Sequence, residues 1–349
     1  MHIGARTCES PAPGRIDGAS RSVRPVWYVP LEHMREIMKK ILFATTALVA
    51  TAGVASADVA VSGFAELGIF DNGGATTQVH TDIDVTFSMS GTADNGVGFS
   101  AGIDLDELDG DGDTSNDQAM PDATIGLSFG PASLTVGDTD SAFDARLTEV
   151  AMNSAIQDDH TIHPGYNGNS ALDEALDSQV VRFDYALDAF TVSLSVNSDD
   201  TANLDPTYAL GASFSADLGV ALGVGVGYIK GDEALTASVY DEIIGLSLSA
   251  GFGSISTVLN FSNWTDNTSG GADDASHIAL GVGTTIGALA VSANYGEYDL
   301  PGGNTNGFGL AANYDLGGGL VAQFGFSSGD NNTAAGYDDT YSLGLAMSF

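Results

Sequence analysis

Basic side chains are scarce in this sequence. Ten of 349 residues are Lys or Arg against 46 Asp or Glu, and only Arg146, Arg182 and Lys230 among the bases lie beyond residue 57. All but four of the acids (Glu9, Asp17, Glu32 and Glu36) lie there too. A surface so negative repels nucleic acid, which excludes that class of partner. Cysteine is the next absence. Cys8 stands alone, so neither a disulfide within the chain nor a thiolate metal cluster is available. Also missing is any apolar run of the roughly 20 residues a membrane-crossing helix needs, and no long helical periodicity follows residue 58. What remains is 43% hydrophobic and carries 45 glycines, too apolar for a disordered acidic chain.

The N-terminal region reads as something apart. "MKKILFATTALVATAGVASA", Met38 to Ala57, joins two lysines, an apolar run from Ile41 to Val54 and the small-residue site Ala55-Ser56-Ala57. These are the three parts of a secretory signal, so residues 38–57 are expected to be a signal peptide and Asp58 the first mature residue. Residues 1–37 have no periodic apolar pattern. They are read as an N-terminal extension upstream of the true start at Met34 or Met38, so that the mature chain carries no cysteine.

Beyond Asp58 the repeating unit is a segment of about ten residues alternating apolar with small or polar, broken by Gly, Asp and Asn. Val79, Ile83, Val85, Phe87 and Met89 share one face, opposite His80, Asp82, Asp84, Thr86 and Ser88. Val181, Phe183, Tyr185 and Leu187 likewise oppose Arg182 and Asp184. Gly223, Gly225 and Gly227 alternate with Val224, Val226 and Tyr228, the small inward face of a strand rather than a dinucleotide loop. About sixteen strands are expected, near 58–70, 78–91, 96–106, 122–130, 131–138, 179–187, 189–198, 206–217, 219–229, 240–251, 254–264, 276–286, 288–299, 305–316, 319–329 and 339–349. Turns such as "FGPAS", "ALDAF" and "DLGGG" are tight, whereas the connections at 106–122 and 266–275 are long and acidic. An even strand number with short turns on one rim and long loops on the other describes a transmembrane antiparallel β-barrel over 58–349. In such a barrel the last strand, "YSLGLAMSF", pairs with the first and leaves no edge. A soluble acidic β-protein that binds calcium or a partner without conducting is the alternative reading.

One connection exceeds ordinary loop lengths. Residues 139–178 show no alternation and carry Asp140, Asp144, Glu149, Asp158, Asp159, Asp173, Glu174 and Asp177. Following the fifth strand, this segment resembles the third loop of general porins, which folds into the barrel and narrows it. With "LTVGDTDSAFDARLTEV", "SQVVRFDYALDAFTVSLS", "LAANYDLGGG" and the C-terminal strand, the chain from 58 to 349 is similar to alphaproteobacterial general porins. That resemblance implies a homotrimer of sixteen-stranded barrels in outer-membrane lipid, passing small hydrophilic solutes and ions. It also implies recognition of the strand ending at Phe349 by the outer-membrane assembly machinery. Family members commonly set arginines on the wall facing the acidic loop. Here Arg182 is the only arginine expected to face the lumen from a strand, Arg146 lies on the loop and Lys230 falls near a strand end. Those eight acids with Arg146 and Arg182 are the candidate constriction residues, and the thin basic complement implies a preference for cations.

Chemistry beyond permeation finds little support. Asp109, Asp111 and Asp113 have the spacing of an EF-hand opening, but Thr114 stands at the required glycine and Met120 at the final glutamate. They leave only a loose calcium-type site on an outer loop, and no cofactor is required. His160 and His163 are three residues apart in a segment without regular structure, a weak metal pattern. No nucleophile elbow is present, so an enzyme is not expected.

Overall fold

The computed structural model describes residues 58–74, 76–106, 122–156, 161–172, 179–198, 205–232, 240–266, 274–332 and 336–349. Sixteen strands follow in chain order: β1 (Asp58–Asp71), β2 (Gln78–Thr92), β3 (Gly98–Asp106), β4 (Asp122–Phe129), β5 (Ala132–Gly137), β6 (Val180–Leu187), β7 (Phe190–Asn197), β8 (Thr207–Asp217), β9 (Ala221–Lys230), β10 (Glu242–Phe252), β11 (Ile255–Thr265), β12 (Ala275–Ile286), β13 (Leu289–Asp299), β14 (Thr305–Gly317), β15 (Leu320–Asp330) and β16 (Thr340–Ser348). Each pairs antiparallel with its neighbours in sequence, and β1 pairs with β16 from Phe64↔Ser348 to Asp71↔Tyr341. The sheet is a closed barrel. Closure places every strand between two partners, the condition for a sheet to cross lipid.

Side chains sort by parity. Val59, Leu67, Phe183, Leu194, Leu280 and Leu343 point outward and are exposed, part of an apolar belt around the wall. A soluble β-protein would have to bury that belt against a second layer. The exposed belt suits lipid, and disfavours the soluble alternative. Phe129, Phe190, Phe252, Tyr314 and Phe349 are exposed near the short-turn rim, where amphipathic and aromatic rings mark a membrane boundary. The other parity turns small and polar residues inward: Ser193, Ser195, Asn260, Ser262 and Ser342 are all buried.

Strand ends differ from the sequence reading by a few residues, and the turns explain why. β3 begins at Gly98 rather than 96 because Gly96, at φ +84°, closes a turn in which its N–H donates to Ala93 O at 2.8 Å. β9 begins at Ala221 because Gly219, at φ +83°, occupies the preceding turn. Only glycine takes such angles freely.

Candidate constriction and lumen wall

The described stretches of the segment between β5 and β6, within 138–156 and 161–172, pack against the inner wall of the barrel. The segment's outbound arm starts with a single 3-10 turn, Asp144–Arg146, in which Leu147 N–H donates to Asp144 O at 2.9 Å. Wall serines fix this arm: Ser195 Oγ of β7 accepts from Ala142 N at 2.8 Å, and Ser247 Oγ of β10 accepts from Thr148 N at 3.0 Å. Phe143 enters an apolar cluster with Ala209, Ile229, Ile243 and Leu172. Val150 packs with Val258 and Ala279, and Ile156 reaches Gly68 of β1 and Gly344 of β16. The return arm comes back past β14 and β13. His163 Nδ1 accepts from Gly165 N at 3.1 Å, so Nε2 carries the proton and donates to Asn294 Oδ1 at 2.7 Å. Burial pushes the His163 pKa down to about 4, the Asn294 hydrogen bond opposing that shift. Farther along, Asn167 Nδ2 donates to Ser262 Oγ at 3.3 Å. The arms are tied together by Tyr166 Oη donating to Glu149 Oε2 at 2.7 Å.

Glycines make this docking sterically possible. A Cβ added at Gly211, Gly225, Gly281, Gly296 or Gly309 would fall against the loop carbonyls of Ala142, Arg146, Val150, Gly165 or Thr161, and one at Gly344 against Ile156. The loop backbone occupies space that any side chain on those strands would take. The inward glycines of β9 were legible as a small face; their service as a track for the loop was not.

Charges at the loop root form a knot centred on a residue the sequence reading did not select. Asp184 of β6 accepts from Arg182 Nε at 3.1 Å and lies 3.9 Å from Arg146 Nη2. Arg182 Nη1 also donates to Asp140 O at 2.6 Å and stands 3.9 Å from the Asp140 carboxylate. Burial lowers the Arg146 pKa from its ordinary value, and Asp184 beside it acts in the opposite direction. Lys230 pairs at 3.9 Å with Glu242, at the long-loop end of β9. The parity of β1, β2 and β3 turns Glu66, Asp82, Asp84 and Asp104 inward, with Thr86 Oγ1 donating to Asp104 Oδ1 at 3.0 Å. Of the candidate residues, the structure therefore brings Asp140, Arg146 and Arg182 together around Asp184. It places Asp144 in the 3-10 turn and uses Glu149 to join the two arms. Asp158, Asp159, Asp173, Glu174 and Asp177, with His160 and the calcium-type residues Asp109, Asp111 and Asp113, lie outside the described residues. His163 engages both ring nitrogens in hydrogen bonds and has none free for a metal.

A closed sixteen-stranded barrel with an apolar exterior, a polar lining and a long loop folded inside defines a channel-forming outer-membrane protein. Residues 44–343 match the family model for Gram-negative porins, and the chain belongs to that family. The porin of Rhodobacter capsulatus is 28% identical over 294 residues, 78% of this chain and 95% of that protein. A porin structure refined at 1.8 Å superposes with a TM-score of 0.66 at 23% identity, covering 84% of this chain and all of that one. A triple variant of Rhodopseudomonas blastica porin gives 0.63 at 18% identity, with the same coverage. Family and barrel together place the chain in the outer membrane as a general diffusion channel.

Proposed function

We propose that this porin is a homotrimeric channel for small hydrophilic solutes that prefers cations, with Asp140, Asp144, Glu149, Arg146 and Arg182 at its constriction. One observation carries the ion preference. The only two bases of the loop and its root, Arg146 and Arg182, are held beside Asp184 and Asp140, so their charge is matched locally. Lys230, the one further Lys or Arg of residues 58–349, is paired with Glu242 at the long-loop end of β9, while Glu66, Asp82, Asp84 and Asp104 face the lumen. Ions crossing the lumen therefore meet a negative field. Planar-bilayer recording in a salt gradient tests this: the reversal potential should lie on the cation side, and an anion-side value would overturn the reading.

Export through a signal at 38–57 is part of the same proposal. β1 starts at Asp58, directly after Ala55-Ser56-Ala57. N-terminal sequencing of outer-membrane material should read Asp-Val-Ala-Val; a mature chain that keeps Cys8 would refute the cleavage site.

A further inference from the structure

The inner face of β1 and β2 gathers two carboxylates around a buried histidine. Glu66 and Asp82 are direct cross-strand partners, and His80 is opposite Gly68. One ligand atom from each of Glu66, His80 and Asp82 lies within 4.8 Å of the others. Glu66 and His80 are 6% and 5% exposed, while Asp82 is half-buried. The Phe70 ring meets the His80 ring edge-on, with centroids 6.0 Å apart, and holds its plane.

We propose that Glu66, His80 and Asp82 bind a divalent transition-metal ion, of the zinc type, inside the barrel wall. Three features point to a cation rather than a proton. Like charges directly opposite each other on neighbouring strands repel, so the Glu66–Asp82 pair calls for a positive charge between them. His80 Nε2 and Glu66 Oε2 are 3.3 Å apart, long for a charge-assisted hydrogen bond. That separation is close to the ligand-to-ligand edge of about 3.3 Å expected around a tetrahedral zinc with bonds near 2.05 Å. Asp82 Oδ1 is buried without a hydrogen-bond partner, an acceptor with nothing to accept from. A shared ion would give it a partner. One imidazole and two carboxylates favour zinc or a neighbouring first-row metal over calcium, which prefers oxygen alone. Three protein ligands leave a coordination position for water. Ile156, the loop residue packed on Gly68, puts the site beside the far end of the inserted loop.

The test uses the purified, detergent-extracted porin, freed of metal by a chelator and titrated with Zn2+ by calorimetry. Co2+ absorption serves as a spectroscopic reporter of the ligands. One Zn2+ per chain is expected, with a tetrahedral cobalt band. His80→Ala and Asp82→Asn should each weaken binding at least tenfold, and millimolar Ca2+ should not displace the zinc. Asp82→Asn keeps the shape of the native side chain, and heat-modifiable migration verifies that each variant is folded. Wild-type protein without stoichiometric Zn2+ binding, or folded variants that bind as tightly as wild type, would overturn the site. These readouts do not depend on conduction, so they stand or fall separately from the channel reading.

Discussion

His163 shows how one side chain can make the loop sensitive to pH. Its ring is neutral in the docked loop, and it packs near His277, whose Nε2 donates to Gly165 O at 2.9 Å, and against Tyr166, whose ring centroid lies 6.1 Å away. A freed His163 takes up a proton near its ordinary value of about 6.5; the docked ring resists until about pH 4. Between those values the undocked state binds more protons, so docking weakens as pH falls and is at full strength above 6.5. Each pH unit inside the window weakens docking by up to about tenfold. Hydrogen exchange of residues 161–172 should therefore accelerate as pH drops from 6.5 to 4, after correction for intrinsic rates. His163→Gln, which retains an amide donor for Asn294, should flatten that dependence. Equal pH profiles in the two proteins would assign the effect to another group.

At the level of strands and loops, the local pattern carried most of the fold. Alternation along Val181–Leu187 or Tyr341–Met347 is written into neighbouring residues, so strand positions and wall faces were legible to within a few residues. The path of the inserted loop was not, because it depends on contacts such as Thr161 with Gly309, far apart in the chain. Asp184 could be read as inward-facing, but its position between two arginines requires the loop to be folded back over β6. The track of glycines is open to direct test. Gly225→Ala and Gly281→Ala each place a methyl group against a loop carbonyl, with overpacking of roughly 1–3 kcal/mol per site. The pair should displace the outbound arm, raise single-channel conductance and expose the loop to protease while the barrel remains heat-modifiable. Unchanged conductance would mean that the arm does not limit flow.

The last strand offers a different element-scale prediction. Phe349 lies just past β16; its N–H donates to Gly63 O at 2.9 Å and its carbonyl accepts from Gly63 N at 3.3 Å, while its side chain is 66% exposed. So little apolar burial limits the folded-state contribution of the ring to less than about 3 kcal/mol. Deleting Phe349 should thus lower the amount reaching the outer membrane much more than it lowers the melting temperature of the protein that does assemble. Normal outer-membrane levels of the truncated chain would remove the case for Phe349 as an assembly signal.

For the whole molecule the deciding quantity is the field along the lumen, which bulk charge alone does not set. Exposed charges are screened beyond a Debye length of about 10 Å at 0.1 M salt, so acids on outer loops contribute little to an ion inside the barrel. Asp82, Asp84 and Asp104 face the lumen from the wall itself. For an ion passing about 7 Å from each carboxylate, each contributes about 0.3 kcal/mol in aqueous surroundings after screening, about 0.9 kcal/mol for the three; a cation gains and an anion loses that amount, so the cation-to-anion permeability ratio changes roughly twentyfold. Recorded in the presence of a chelator, so that the Glu66–His80–Asp82 site carries no metal, replacing all three by Asn should shift the reversal potential toward the anion side by that factor at 0.1 M. At 1 M, where the Debye length is about 3 Å, the same replacement should change almost nothing. Neutralising Asp140, Asp144 and Glu149 separates the loop's share from the wall's. Asp140 pairs with Arg182, and Glu149 accepts from Tyr166, so part of the loss there would come from a loosened loop. A triple wall variant as cation-selective as wild type at 0.1 M would place the selectivity filter in the loop alone.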